Sequence, residues 1–499
     1  MASDSYGRRS ARPHHHQPRF VSRREMLRHT STGFGYLALS ALMAHRSYAG
    51  VASQTTGAEN VVSDGPLAAK APDFEPRVKN VIFCYLSGGL SHIDSFDPKP
   101  RLAREAGEPM PFETDRTMFN QDGNIFPSPW EFTRYGQSGI PVSALFPHIG
   151  GIADELTIIR SMTAPFMEHA QANFYFHCGQ AFSGFPSLGA WTTYGLGTEN
   201  QNLPGFVVLG SGGIPLGGIN MLGNGFLPAV HQGSLIYPEN AEPLNNVSPR
   251  ESDPRQRERL AFIDDLDRRF LTRTQRDGQV EAAIENYEIA YRMQTAVPDL
   301  VDLSGETETT KRLYGLDSAF ASTAAYGRQC LVARRLVERG VRFIELTMVA
   351  PPGEGQLSNP WDQHTGLKEG HTANALTVDQ PVAALVADLK ARGLLDETLV
   401  IFSGEFGRTP FVQGTNGRDH NPMGFTLWLA GGGLKKGFIY GATDEYGYRV
   451  VENRHTIRDL HATVLHLLGL DHEALTYRFG GRDYRLTDID GYPITGILA

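Results

Sequence analysis

Short apolar runs that end in glycine- or serine-rich loops are the feature of this sequence that most restricts its fold. Residues 81–86 form a continuous apolar run, and Ser87-Gly88-Gly89 follows it directly. A strand that is apolar on both faces belongs in a sheet that is covered on both sides. Five later segments have the same character: 157–159, 206–209, 341–348, 398–402 and 425–430.

Segments with helical periodicity separate several of these strands. Apolar residues recur at helical spacing in 257–271, 319–338 and 378–392, and Gly393 ends the last of them. Strands that alternate with helices of this length predict an α/β fold: a doubly wound, mostly parallel sheet with helices on both faces. The charged stretch 245–315 has helical character and no strand, so we interpret it as a helical insertion.

The first 49 residues have the order of an export signal. Eight arginines against Asp4 and Glu25 make this segment basic, and the pair Arg23-Arg24 precedes a modest apolar run of about twelve residues and the small-residue site at Ala49. The pattern is typical of a twin-arginine signal. It predicts a periplasmic or exported protein, cleaved near Ala49. The alternatives are a retained signal anchor and a chance arginine pair on a disordered tail.

Composition limits what the rest of the chain can be. Residues 50–78 read as a linker, and 79–499 as one α/β domain that carries the helical insertion. The formal charge of −9 over 499 residues argues against a nucleic-acid partner, because proteins that bind nucleic acids carry a basic face that neutralises phosphates. The mature chain has no predicted transmembrane segment. Its three cysteines are widely spaced, which excludes a cysteine zinc site and leaves a single disulfide open.

Histidines and carboxylates follow three of the predicted strands and precede a fourth. Because loops converge at the carboxyl ends of strands in such a sheet, we expect these side chains to meet there. Imidazole and carboxylate ligands together suit a divalent ion, here zinc, manganese, magnesium or calcium. The candidate metal ligands are His92, Asp94, Asp362, His364, Glu405 and His420.

Three further residues are candidates for catalytic roles. We expect His169 to act as a general acid or nucleophile, Arg408 to bind the anion and Asp419 to orient His420. Arg408 and Glu405 could instead form a structural ion pair. A helix opening near His169 would offer an anion its free N–H groups, although a packed aromatic helix is an equal interpretation.

Several stretches together resemble a known family of exported bacterial proteins, domain of unknown function 1501, which is sulfatase-like and placed in the alkaline phosphatase superfamily. They are the motifs at 87–100, 329–343, 361–364, 404–410 and 417–422. The resemblance runs from about residue 79 to the C-terminus. It implies a doubly wound sheet with one or two divalent metals, and it matches Asp362 and His364 to a metal pair and His420 to a final metal- or sulfate-contacting histidine.

Two departures from the superfamily pattern limit what the resemblance implies. Ser87-Gly88 stands where many relatives place an aspartate, and the Cys-x-Pro-x-Arg sulfatase signature is absent. The implied function is a metal-dependent hydrolase of sulfate or phosphate esters, with an anionic ester substrate that could belong to a polysaccharide. The alternative is a catalytically inactive exported binding protein that uses the same fold to hold an anionic glycan or a protein partner.

Overall fold

The computed structural model describes residues 66–119, 123–210, 213–245, 252–273, 278–348 and 359–499. The predicted export signal and residues 50–65 of the predicted linker lie outside these ranges. All of the described residues belong to one compact unit, Asp64–Ala499. Its three cysteines, Cys84, Cys178 and Cys330, are free and buried.

The strands of the described residues are β1 to β17 in chain order. They are Asn80–Tyr85, Phe132–Tyr135, Ile140–Ser143, Leu156–Thr163, Phe206–Leu209, Ser234–Ile236, Phe343–Thr347, Thr398–Ser403, Gly407–Gln413, Gly417–Asn421, Phe425–Gly431, Phe438–Tyr440, Ala442–Thr443, Val450–Glu452, His455–Thr456, Tyr477–Phe479 and Arg482–Tyr484.

The α-helices are α1 to α10. They are Pro100–Arg104, Pro147–Gly150, His169–Cys178, Leu188–Leu196, Asp253–Arg273, Gly278–Val301, Glu308–Leu313, Ala321–Glu338, Leu367–Ala391 and Ile457–Leu467. Short 3₁₀ turns occur at His92–Asp94, Ala153–Glu155, Ile219–Leu222, Ala229–His231, Leu395–Glu397 and Thr495–Ile497. Helices α5, α6 and α7 occupy much of the stretch interpreted as an insertion.

The central sheet has the order β12-β4-β11-β8-β1-β7-β5-β6, with β15 also paired to β4. Strand β1 pairs in parallel with both β7 and β8, whereas β11 is antiparallel to its two neighbours. The predicted mostly parallel α/β sheet is therefore confirmed, with one antiparallel strand inside it. Because β11 reverses the direction once on each side, β4 and β8 end at the same edge of the sheet as β1 and β7.

Apolar side chains pack on both faces of this sheet. Alternate residues of β1 contribute to two separate clusters: Ile82 and Cys84 join helices α8 and α9, and Val81 and Phe83 join helices α4 and α10. All six residues of β1 are buried. A strand between two apolar layers needs apolar residues at every position, which is why residues 81–86 read as a continuous run.

The structure corrects two boundaries expected from the sequence. Helix α9 begins at Leu367, eleven residues before the expected start at 378, because Gly370 and His371 interrupt the apolar pattern of a helix that is nevertheless buried there. The residues around Arg408 and His420 were expected in loops but form the antiparallel hairpin β9–β10. Most of the hairpin is buried, so it lacks the polar–apolar alternation of an exposed one.

Candidate metal centre

Three histidines and one aspartate meet at the carboxyl edge of the sheet. His169, Asp362, His364 and His420 each offer a ligand atom, and these atoms lie within 4.8 Å of one another. The Nε2 atoms of the three histidines all approach the carboxylate of Asp362, at 3.1 Å, 2.9 Å and 3.1 Å for His169, His364 and His420 respectively. We call these four residues the histidine–aspartate cluster.

The four members of the cluster come from three parts of the chain. His169 is the first residue of α3, which follows β4, and Asp362 and His364 lie between β7 and α9. His420 lies on β10. Gly88, at the end of β1, has φ of +109°, and a side chain there would meet the backbone nitrogen of Asp362 at 2.7 Å. The close approach of the two segments therefore requires glycine at position 88.

The other ring nitrogen of each histidine faces a hydrogen-bond acceptor. Nδ1 of His169 lies 2.6 Å from Glu405 Oε1, and Nδ1 of His420 lies 2.6 Å from the carbonyl oxygen of Met167. Nδ1 of His364 faces the amide oxygen of Gln413. A hydrogen bond to each of these acceptors needs a proton on Nδ1. Each imidazole in its neutral form therefore carries its lone pair on Nε2.

Three Nε2 lone pairs directed at a carboxylate repel one another unless a positive charge lies among them. That charge can be extra protons on the imidazoles or a cation. Nε2 of His169 is buried and forms no hydrogen bond of acceptable geometry with any described residue, although Asp362 Oδ2 is nearby. Fixed tautomers with outer acceptors are the arrangement found around metal-bound histidines. The four side chains therefore fit a divalent ion.

Without a cation, burial and the surrounding charges shift the pKa values of His169 and His420 in opposite directions. Burial alone would lower the pKa of His169, but Asp362 and Glu405 raise it to about 9. Burial lowers the pKa of His420 to about 4, and Arg408 and His169 add to this effect. Burial would raise the pKa of Asp362, but Arg408 and the three histidines hold it well below its usual value. His169 therefore holds the proton that a cation would replace.

Glu405 supports the cluster without being one of its four members. It is fully buried, and its carboxylate accepts from the backbone nitrogen of Gly88 at 2.9 Å as well as facing His169. Tyr85 lies 3.3 Å from its other oxygen. Burial would raise the pKa of Glu405, but the contact with His169 lowers it. Its ion-pair partner among the described residues is thus His169 and not Arg408.

Arg408 does not have the position expected of an anion-binding residue. Its side chain is fully buried, and its nitrogens donate to the carbonyl oxygens of Gly88, Gly89, Trp361 and Arg418. Nη2 also lies 2.7 Å from Asp362 Oδ1. Because backbone carbonyls and Asp362 take up the guanidinium donors, Arg408 fixes the carboxylate of the cluster.

His92 and Asp94 are not part of the cluster. Both lie in the buried 3₁₀ turn after β1. Nε2 of His92 lies 2.7 Å from the carbonyl oxygen of Gly447, and Asp94 pairs with Arg418 at 2.7 Å. Asp94 therefore neutralises a buried guanidinium, and His92 contacts a backbone carbonyl.

Asp419 contacts its neighbours differently from the expectation. Its Oδ1 accepts from the backbone nitrogen of His420 at 2.8 Å, and its Oδ2 accepts from the backbone nitrogen of Phe119 at 3.2 Å. The ring of His420 is held by the Met167 carbonyl. Asp419 thus orients the backbone of β10 and fastens the segment that carries Phe119.

The amino end of α3 is already capped. Glu168 is the N-cap residue, and its carboxylate accepts from the backbone nitrogens of Ala170 and Gln171 at 3.0 Å each. These are the N–H groups that an anion would have used. The expected anion site at the start of this helix is therefore taken by the side chain of Glu168.

Aromatic rings border the cluster, and part of it reaches the surface. The Phe119 ring centroid lies 4.7 Å from that of His364, and the Phe406 ring lies 4.6 Å from that of His420. Phe119 is 49% exposed. The side chains of Asp362 and His364 are 25% and 22% exposed, which leaves the cluster open to solvent on one side.

Two contributors to the site were not found from the sequence. Gln413 holds His364 but lies at the end of a hairpin strand and belongs to no recognisable motif. Met167 contributes only its backbone carbonyl, which any residue could supply. No signal in the sequence identifies either of them, because their roles depend on where the hairpin and the start of α3 come together.

Fold and site together define the class: an α/β protein whose mixed, mostly parallel sheet carries a histidine–aspartate cluster at its carboxyl edge. Within that class, the chain belongs to the family described as "Protein of unknown function (DUF1501)", whose model matches residues 78–498. The family resemblance of the sequence motifs is thereby confirmed. No curated protein matches the chain.

Solved structures with remote similarity include three enzymes. The lipoteichoic acid synthase LtaP from Listeria monocytogenes is 11% identical, with 85% of this chain and 78% of that chain covered and a TM-score of 0.36. The PsFucS1 sulfatase from Pseudoalteromonas sp. is 12% identical, with coverages of 85% and 72% and a TM-score of 0.38. The phosphonate monoester hydrolase SpPMH from Silicibacter pomeroyi is 12% identical, with both coverages 71% and a TM-score of 0.34.

Among the helices of the described residues, none combines the length and the apolar character needed to cross a bilayer.

Proposed function

We propose that this protein is an exported, metal-dependent hydrolase of sulfate or phosphate esters. The observation that carries the proposal is the set of three Nε2 lone pairs gathered around the carboxylate of Asp362. His169, His364, His420 and Asp362 would hold the ion. The resemblance of the sequence motifs to sulfatase-like proteins supports the choice of ester.

The ligand set favours particular ions. Three imidazole nitrogens and one carboxylate oxygen suit a borderline ion such as zinc better than magnesium or calcium, which prefer oxygen ligands. An ion held by these four residues would polarise an ester oxygen and offset the negative charge that develops during hydrolysis.

The chain's own residues prepare the site for that chemistry. Glu405, Gln413 and the Met167 carbonyl keep a proton on each Nδ1, so the Nε2 atoms stay available as ligands. Arg408 keeps the Asp362 carboxylate ionised and fixed. His169 is thus proposed as a ligand in place of the general acid or nucleophile expected from the sequence.

The attacking group is proposed to be water. The four cluster side chains form hydrogen bonds or ion pairs with no serine, threonine or cysteine among the described residues. A covalent intermediate needs a nucleophilic side chain at the reacting centre. Direct hydrolysis does not, and the opening beside Asp362 and His364 admits solvent.

Metal content and ester turnover, measured together, test the proposal. We expect the purified protein to hold one zinc or manganese ion per chain and to hydrolyse at least one member of a panel of aryl sulfates, phosphates and phosphonates. His364→Ala should lose both properties. His148→Ala is the matched control, because it removes an exposed imidazole that is not one of the four cluster residues and forms no hydrogen bond or ion pair with them, and it should retain both.

The other outcomes separate the alternatives. Folded protein without a stoichiometric ion contradicts the metal site and the hydrolase together. One ion per chain with no turnover across the panel contradicts the hydrolase and favours the exported binding protein for an anionic glycan or a protein partner.

A further inference from the structure

Helix α5 exposes a row of large apolar side chains. Phe262, Leu266 and Phe270 are 64%, 46% and 44% exposed. They are spaced four residues apart, so they lie in one line along the helix surface. Exposed apolar residues that occur singly need no explanation, but a continuous row on one helix indicates a binding surface.

Arginines lie beside this row on the same face. At 100° per residue, Arg255, Arg259, Arg269 and Arg273 all lie within about 60° of Leu266 around the helix axis. All four are exposed. No acidic residue of α5 falls within that arc, because Glu258 lies about 80° and Asp265 and Asp267 about 100° from Leu266. Asp265 pairs with Arg269 at 2.6 Å. We call this surface the basic apolar face of α5.

The side of α5 next to this face is directed at α6. Leu260, Asp264 and Asp267 line a groove of about 400 Å³ that they share with Ile284 and Tyr291 of α6. Gln256 donates a hydrogen bond to Gln294 of α6 at 2.9 Å. Helix α5 therefore faces α6 through the side next to the basic apolar face, and Ile263, about 60° from Leu266, lines the same groove.

We propose that the basic apolar face of α5 docks on the surface of a bilayer that contains anionic lipids. A helix with aromatic and aliphatic residues between arginines places its apolar side chains at the acyl boundary and its guanidinium groups among lipid phosphates. The whole chain carries a net charge of −9, so attraction to an anionic surface has to come from a local basic face. The proposal rests on α5 alone and is independent of the proposed function.

Two other occupants fit this face less well. In an antiparallel pair of α5 helices centred on Leu266, Phe262 meets Phe270 but Arg259 of one copy meets Arg273 of the other, and like charges at that position repel. A soluble polyanion satisfies the arginines and leaves Phe262, Leu266 and Phe270 in water. A bilayer interface accommodates both kinds of side chain.

Vesicle cosedimentation of the full chain tests the proposal. We expect the protein to bind phosphatidylcholine vesicles that contain phosphatidylglycerol and not vesicles of phosphatidylcholine alone, and we expect high salt to weaken binding. Phe262→Ser/Leu266→Ser/Phe270→Ser should reduce binding at least tenfold. Each of Arg255→Gln, Arg259→Gln and Arg273→Gln should weaken it about fivefold.

A matched control changes exposed apolar residues elsewhere. Phe479→Ser/Ile489→Ser/Tyr492→Ser alters three side chains that are 51%, 79% and 70% exposed and should leave vesicle binding unchanged. Circular dichroism melting establishes that each variant is folded, and the single arginine variants provide a second readout if the triple serine variant is not. Absence of binding to the anionic vesicles, or binding that the α5 variants do not reduce, overturns the proposal. A dimer in solution that the triple serine variant of α5 converts to monomer also overturns it, in favour of a second copy.

Discussion

At the scale of single residues, the site depends on groups that face the histidines from outside. A carboxylate, an amide oxygen and a backbone carbonyl each hold one Nδ1 proton. Asp362, His364 and His420 were predictable because they belong to motifs near strand ends. Gln413 was not, since an amide on a strand has no chemical signature. His92 and Asp94 shared the expected residue types, but a turn buries them among other partners.

The carboxylate of Glu405, which contacts Nδ1 of His169, should increase the affinity of the cluster for a metal ion. Glu405→Gln keeps an acceptor for the Nδ1 proton of His169 but removes the negative charge that makes the ring a stronger ligand. We expect metal affinity to fall about 10- to 100-fold, measured by competition with a chromophoric chelator. Glu345→Gln is the control, because Glu345 is also a buried carboxylate paired with a histidine, His177, outside the cluster. Equal loss of affinity in both variants would contradict the role given to Glu405.

At the scale of elements, the sequence predicted the strands that are apolar at every position and missed a buried hairpin that is rich in polar residues. Apolar runs located β1, β5 and β8 within a residue or so, because strands buried on both faces admit little else. The hairpin β9–β10 was missed because its polar residues are buried by contacts to distant segments. The start of α3 was expected near His169, but its cap was not, since Glu168 reads as an ordinary charged residue.

The cap of α3 should affect both the helix and the site. Glu168→Ala removes the acceptor for two backbone N–H groups, and we expect the free energy of unfolding to fall by about 1 kcal/mol. Because His169 is the next residue, metal affinity should fall as well. Ser187→Ala removes the N-cap of α4 and should cost a similar free energy without changing metal affinity. Denaturant titration and metal titration of both variants check this, and unchanged metal affinity in Glu168→Ala would show that the cap does not position His169.

At the scale of the whole molecule, a single sheet brings together residues that lie up to 251 positions apart in the chain, from His169 to His420. Parallel strands end at the same edge, so the sequence could predict the edge at which polar loops would meet. It could not predict which side chains would point inward there. That depends on Arg408 and Gly88, which bring the Asp362 segment close to the end of β1.

The most direct test of the proposed metal centre is a crystal structure of the full chain, from crystals grown with zinc or manganese. Anomalous scattering would be measured at the X-ray absorption edge of the added metal. We expect one ion coordinated by Nε2 of His169, His364 and His420 and by an oxygen of Asp362, at about 2.0 to 2.2 Å. An ion bound elsewhere, or no ion while the three histidines remain in contact with Asp362, would contradict it.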